Sequence, residues 1–270
     1  MRGYNRTTLS PRCCIKINLQ KAFDTVDWRF IIEVLEVMKF PVVYVEWIKS
    51  CITTSRFSIS INGSLVGYFK GARGVRQGDP LSPYLFVLAM NVLSKMLNVA
   101  AKYGVFSFHP KCKKLELTHL CFADDLLIFS RGNLDSIVGI QNVMKQFYLF
   151  SGLHLNNSKC ELFSSGISRI LLSEIQEQTG FKLGVLPVRY LGVPLVTRRL
   201  STKDCMTLVN SITARVQHWA TKFLSYAGRY QLIQSVIFSI ENYWCRHFLL
   251  PKSVEKGKPD MLRIFSERQE

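Results

Sequence analysis

The chain has 270 residues, of which 48% are hydrophobic and 20% charged, with a net charge of +16. That length and apolar content supply a real core for one large domain or two modest ones, and exclude an intrinsically disordered chain. The basic excess points to a polyanionic partner, most often nucleic acid, against the plainer reading of a solvated basic surface. The eight cysteines (13, 14, 51, 112, 121, 160, 205 and 245) form no CxxC pair and no disulfide framework, so a reducing compartment is expected. Cys121 and Cys160 sit in apolar segments and read as small buried hydrophobes. The first residues, MRGYNRTTLSPR, lack the apolar centre of a signal peptide, and no apolar run approaches the ~20 residues of a membrane span. The expected setting is intracellular, nucleus or cytoplasm.

In chain order, residues 13–19 read as a strand, with the polar Asn18 inside it. Asp27 can cap a helix over 28–39, where Ile31, Leu35 and Met38 recur at helical spacing and Pro41 stops the pattern. A short helix follows at 43–53. "RFSISINGSLVGYF" is two strand-like runs around Asn62-Gly63, which suits a type I′ turn. "KGARGVRQGDPLSP" is a Gly- and Arg-rich loop opening an apolar helix over 83–101, ended by Gly104. "LTHLCF" and "LLIFS" are strands separated by Ala123-Asp124-Asp125. A helix over 134–150, the strand "KCELFSS" and a helix over 168–179 come next. "VRYLGVPL" reads as a strand stopped by Gly-Val-Pro. Helices over 202–221 and 226–247 follow. Residues 198–252 hold eight Lys/Arg against Asp204 and Glu241, and 253–270 read as a loose tail. Strands joined by tight turns, with helices between, make an α+β protein with an antiparallel sheet and an all-α C-terminal part.

"FADDLLIFS" carries the sharpest chemical signal. Adjacent carboxylates in a tight turn repel, and a divalent cation beside them relieves that repulsion. The competing reading is an ordinary Asp-rich turn. His109, Cys112, His119 and Cys121 are zinc-ligand types, but H-x2-C-x6-H-x-C is an unusual spacing, and burial along a strand explains them better.

The ordered stretches "RGYNR…SPRCCIKINLQKAFDTVDW", "GVRQGDPLSPYLFVLAMNVLS", "HLCFADDLLIFS", "GLHLNNSKCELF", "RYLGVPL" and "LSYAGRYQLIQSVIFSIENYW" resemble reverse transcriptases of non-LTR (LINE-type) retrotransposons, of the kind abundant in plant genomes. The resemblance covers roughly residues 2–252. Group II intron maturases share the same palm logic, but "RQGDPLSP" and "LSYAGR" favour the LINE type. The resemblance implies a right-hand polymerase: palm at 1–41 and 81–197, partial fingers at 42–80, and a helical thumb at 198–252. Most of the fingers are expected to be missing.

The resemblance further implies RNA-directed DNA synthesis from deoxynucleoside triphosphates on an RNA template and DNA primer. Two Mg²⁺ ions would be held by one Asp on the first strand and by the hairpin pair. The pair is present as Asp124 and Asp125. The first-strand position is Asn18. Asp24 is no substitute, because six residues of strand span roughly 20 Å. An amide oxygen ligates only neutrally, and hard cations favour carboxylates. Loss of one carboxylate removes several kcal/mol of transition-state stabilisation, about a thousandfold in rate or more. This copy is therefore expected to be inactive or strongly impaired.

By the same resemblance, Phe23 lies under the nucleotide sugar and excludes a 2′-OH. Gln77 and Gly78 approach the incoming nucleotide, Arg76 faces phosphate, and Lys159 protonates the leaving pyrophosphate. Tyr190, Leu191 and Gly192 hold the primer end, while Arg215, Lys222 and Arg229 track duplex phosphates. Three readings compete. One is an active polymerase. The second, preferred, is a catalytically dead remnant that still binds an RNA–DNA duplex. The third is a non-catalytic binding or scaffold protein reusing the fold.

Overall fold

The computed structural model describes residues 10–196, 198–220, 224–252 and 254. The chain divides into two compact units, one running through Val185 and one beginning at Leu186. In the first unit β1 (Arg12–Ile17) leads through a single turn, α1 (Ala22–Thr25), into α2 (Trp28–Val37) and α3 (Val42–Thr53). The ribbon β2 (Arg56–Ile61) and β3 (Ser64–Lys70) precedes the long α4 (Ser82–Lys102). Then come β4 (His119–Phe122), β5 (Asp125–Arg131), α5 (Leu134–Ser151), β6 (Glu161–Ser165), α6 (Arg169–Thr179) and β7 (Lys182–Leu183).

Among the described residues five strands form one sheet in the order β4-β5-β1-β6-β7, antiparallel throughout except for the β6–β7 pair. The pleat sends Cys13, Ile15 and Ile17 of β1 to one face, with Leu126 and Ile128 of β5 and Leu162 of β6. Helices α2, α4 and α5 cover that face through Leu35, Phe86, Leu93, Ile140 and Phe147. Cys14, Leu127, Phe129 and Phe163, on the other face, are buried too. Burial on both faces is why "LLIFS" shows no polar alternation.

The local signals act as physics requires. Asp27 accepts from the Arg29 N–H at 2.7 Å and caps α2. Asn62 and Gly63, at φ 50° and 84°, make the two-residue turn between β2 and β3.

Four expectations need correction. "VRYLGVPL" is not one strand with a stop: β8 (Val188–Tyr190) and β9 (Val193–Leu195) pair as a hairpin, and Leu191-Gly192, at φ 51° and 78°, is its turn. The helix over 226–247 is not continuous, since a π turn (Ile233–Ile237) joins α8 (Tyr226–Leu232) to α9 (Phe238–His247). Cys121 is exposed rather than buried, because β4 is the edge of the sheet. Finally, α4, at 21 residues, has by itself the length and apolar composition to cross a bilayer. Its Leu85, Phe86, Met90, Leu93 and Leu97 are instead buried in the core.

The second unit packs the β8–β9 hairpin with α7 (Met206–Ala220), α8 and α9. Val193, Leu208, Ile212, Val216, Ile237 and Trp244 form its core. Of the tail expected to be loose, only Val254 is described, and it is buried in that core.

Candidate active site

The sheet assembles the acidic end of the molecule. Phe122 and Asp125 are the last pair of the β4–β5 hairpin, which leaves Ala123 and Asp124 as its two-residue turn. Ala123 takes φ 50°, a left-handed conformation that alanine disfavours. Asp124 is exposed and Asp125 half-buried.

β1 reaches the same place from the other side. Its last recorded pair with β5 is Ile17 with Leu126, so the next residues along the two antiparallel strands, Asn18 and Asp125, stand opposite each other. Opposed residues project from the same face, with Cβ atoms about 5 Å apart. Asn18 is exposed. Its backbone is fixed: the carbonyl accepts from the Asn156 N–H at 2.9 Å, and its N–H donates to Cys160 Sγ at 3.4 Å. Asn156 in turn accepts from the Lys159 N–H at 2.9 Å. The 3₁₀ turn carrying the exposed Lys159 is thus strapped to the Asn18 end of β1. Asn18, Asp124, Asp125 and the Lys159 turn share one end of the sheet.

A second cluster forms around the loop before α4. Phe23 stacks on Phe86 of α4, with ring centroids 4.5 Å apart, and its carbonyl accepts from the Val75 N–H at 2.7 Å. Gly74 donates to the Val26 carbonyl, and Trp28 Nε1 donates to the Gly74 carbonyl at 2.6 Å. A Cβ at Gly74 would come within 2.6 Å of the Asp24 carbonyl oxygen, so only glycine permits this approach. Gly78, at φ 93°, has open space around it. The Arg76 guanidinium donates to the Arg56 carbonyl and lies over the Phe57 ring, which ties it to the base of the β2–β3 ribbon. A cavity of about 890 Å³ opens here, lined by Trp28, Phe57, Phe69, Arg73, Arg76 and Gln77 among others. Asn18, Phe23, Gly78 and the two aspartates are not in its lining.

In the second unit Tyr190, Leu191 and Gly192 form the tip of the β8–β9 hairpin. Arg215 is exposed on α7, and Arg229 is half-buried on α8. Lys222 lies outside the described residues. The residues with zinc-ligand chemistry are otherwise engaged. His119 pairs with Ser94 Oγ at 2.8 Å and Thr118 Oγ1 at 2.7 Å, and His109 Nδ1 accepts from the Lys111 N–H. Two residues carry weight that sequence reasoning missed: Trp28, which holds the Gly74 loop, and Tyr243 of α9, whose hydroxyl donates to the Leu191 carbonyl at 2.7 Å. Neither has a pattern beyond an aromatic on a helix.

The helix-backed sheet thus carries an aspartate pair in the hairpin turn beside its first strand. Residues 2–195 match the family model described as reverse transcriptase (RNA-dependent DNA polymerase), and the chain belongs to that family. It is 30% identical over 151 residues to a Pol polyprotein of the type-1 retrotransposable element R2 of Popillia japonica, covering 56% of this chain and 24% of that protein. It is 32% identical over 160 residues to the R2DM Pol polyprotein of Drosophila melanogaster, covering 58% and 14%. Both relatives are Pol polyproteins of retrotransposable elements, and the chain spans about a quarter or less of their length. A solved telomerase of Candida tropicalis, in complex with a fragment of telomeric RNA, superposes with a TM-score of 0.48 at 13% identity, over 88% of this chain and 38% of that one.

Reverse transcriptases use divalent metal ions. The residues that the resemblance names at this sheet end are the carboxylates of Asp124 and Asp125 and the neutral amide of Asn18. Among the described residues no group of three or more His, Cys, Asp or Glu could hold an ion. Of these three side chains only two offer the anionic oxygen that hard divalent cations favour.

Proposed function

We propose that this chain is the palm and thumb of a retrotransposon RNA-directed DNA polymerase whose nucleotidyl transfer is silenced by Asn18, and that it retains binding to an RNA–DNA duplex. The single observation that carries this reading is the register: β1 and β5 pair as far as Ile17 with Leu126, and the next residue of β1, on the side of Asp125, is the amide Asn18. In this reading Asp124, Asp125 and a carboxylate at position 18 would together hold Mg²⁺, as the resemblance implies, and the third is missing. Residues 1–41 and 81–197 act as palm, 42–80 as partial fingers and 198–252 as thumb.

The remaining residues have roles that need no metal. Phe23, braced on Phe86, would exclude a ribose 2′-OH, as the resemblance implies. Gln77 and Gly78 receive the incoming deoxynucleotide and Arg76 its phosphates, while Lys159 would protonate the leaving pyrophosphate only where transfer is restored. Tyr190, Leu191 and Gly192 hold the primer end, while Arg215, Lys222 and Arg229 bind duplex phosphates without sequence preference. An intracellular setting, nucleus or cytoplasm, accords with eight cysteines that are all free.

The test is primer extension on an RNA template with Mg²⁺ and deoxynucleotides. The unmodified chain and Asn18→Asp would be compared, with Asp124→Ala as background. Extension by Asn18→Asp alone, at least about a thousandfold above the unmodified chain, is the expected outcome. Robust extension by the unmodified chain would overturn the reading.

A further inference from the structure

The β8–β9 turn is built in an unfavourable way. A two-residue turn with both central residues left-handed wants Asn-Gly, yet its first position is Leu191, at φ 51°. Two side chains tie the hairpin to helices of its own unit. Arg189 Nη2 donates to Thr207 Oγ1 at 2.5 Å, and Tyr243 Oη donates to the Leu191 carbonyl at 2.7 Å. The second bond falls on the residue whose conformation needs support. Tyr243 is itself well placed to give it. Its ring meets His247 edge-on at 5.2 Å, and its neighbour Trp244 is buried in the core, which fixes the rotation of α9. On the outer side Gly192 is exposed, with nothing within 4 Å of where a Cβ would stand, so the turn offers bare backbone.

We infer that Tyr243 is a positioning residue: it clamps the Leu191 carbonyl, holds the Leu191-Gly192 turn in its left-handed form, and so sets the turn's contact with nucleic acid. The last step rests on the proposed reading of this turn as the primer-end contact.

The experiment pairs two readouts on the full chain with Tyr243→Phe, which keeps the ring and removes only the hydroxyl. The first is amide hydrogen exchange over residues 188–195, which needs no ligand; exchange about tenfold faster is expected for one lost hydrogen bond. The second is binding of an RNA–DNA duplex with a recessed 3′ end against a blunt duplex. Tyr243→Phe should weaken the recessed duplex about tenfold and leave the blunt one unchanged. Leu191→Asn, which favours the left-handed turn by itself, should restore slow exchange in the Tyr243→Phe background. Unchanged exchange would overturn the clamp whatever binds. Faster exchange with equal loss on both duplexes, or without rescue by Leu191→Asn, would overturn the positioning role. If the unmodified chain binds neither duplex, the binding reading fails, and faster, rescuable exchange still upholds the clamp on the turn.

Discussion

Two hairpins of the first unit solve the same problem in opposite ways. β2–β3 has an ideal turn, Asn62-Gly63, and no backing: Ile59, Ile61, Leu65, Val66, Tyr68 and Phe69 are all exposed. β4–β5 has a poor turn residue, Ala123 at φ 50°, yet β5 lies between β4 and β1 and is buried on both faces. A lone two-stranded ribbon is marginal in water, whereas a strand inside a packed sheet can carry a strained turn. The strain falls where the aspartate pair sits, and the surrounding sheet holds it there.

The sharpest way to break this comparison is to truncate one residue in each hairpin. Leu127 of β5 is fully buried, so Leu127→Ala should destabilise by about 2–5 kcal/mol. Ile59 of β2 is 56% exposed, and Ile59→Ala should stay within about 0.5 kcal/mol. Chemical denaturation of both variants gives the answer. A comparable loss at Ile59 would mean that the ribbon is part of the cooperative core.

The next effect concerns what covers β5 on its outer face. His109 packs edge-on against Phe129, is 4% exposed, and has its pKa lowered to about 4 by burial and then by the charges of Arg12 and Lys111. A histidine kept neutral in the fold stabilises fully above its ordinary pKa of 6.5. That stability drains as pH falls from 6.5 towards 4, because the unfolded chain then binds the proton and the folded chain does not. The loss should approach about 3 kcal/mol at its limit. His119, also lowered by burial, adds in the same direction. Subtracting the pH–stability curve of His109→Asn isolates the His109 part; superimposable curves would refute it.

How much of this was legible in the sequence follows from which interactions are local. Asp27 as a cap, Asn62-Gly63 as a turn and the aspartate pair between two strands depend on neighbours in the chain, and each was readable. The edge position of β4 was not, because "LTHLCF" is as apolar as a buried strand and only pairing partners decide exposure. The β8–β9 hairpin hid behind Leu191, a residue the turn rules do not favour, which is held by a tyrosine 52 positions away. The opposition of Asn18 to Asp125 needed the register, although both residues stood out by type.

The smallest effect tests the strain itself. A left-handed conformation disfavours an L-residue by roughly 1–2 kcal/mol. Glycine removes that penalty but costs roughly 0.5–1 kcal/mol through the freedom it gives the unfolded chain. Ala123→Gly should therefore stabilise the chain by about 0.5 kcal/mol, a sign opposite to the usual result of putting glycine into a hairpin. The matching change Gly63→Ala, at φ 84° in the unbacked ribbon, places the same penalty where no sheet absorbs it. It should loosen β2–β3 locally while leaving global unfolding nearly unchanged. Denaturation midpoints for the first variant and hydrogen exchange over residues 56–70 for the second would measure the two. If Ala123→Gly instead destabilises, Ala123 is not left-handed in solution, and the contrast between the hairpins reduces to their burial alone.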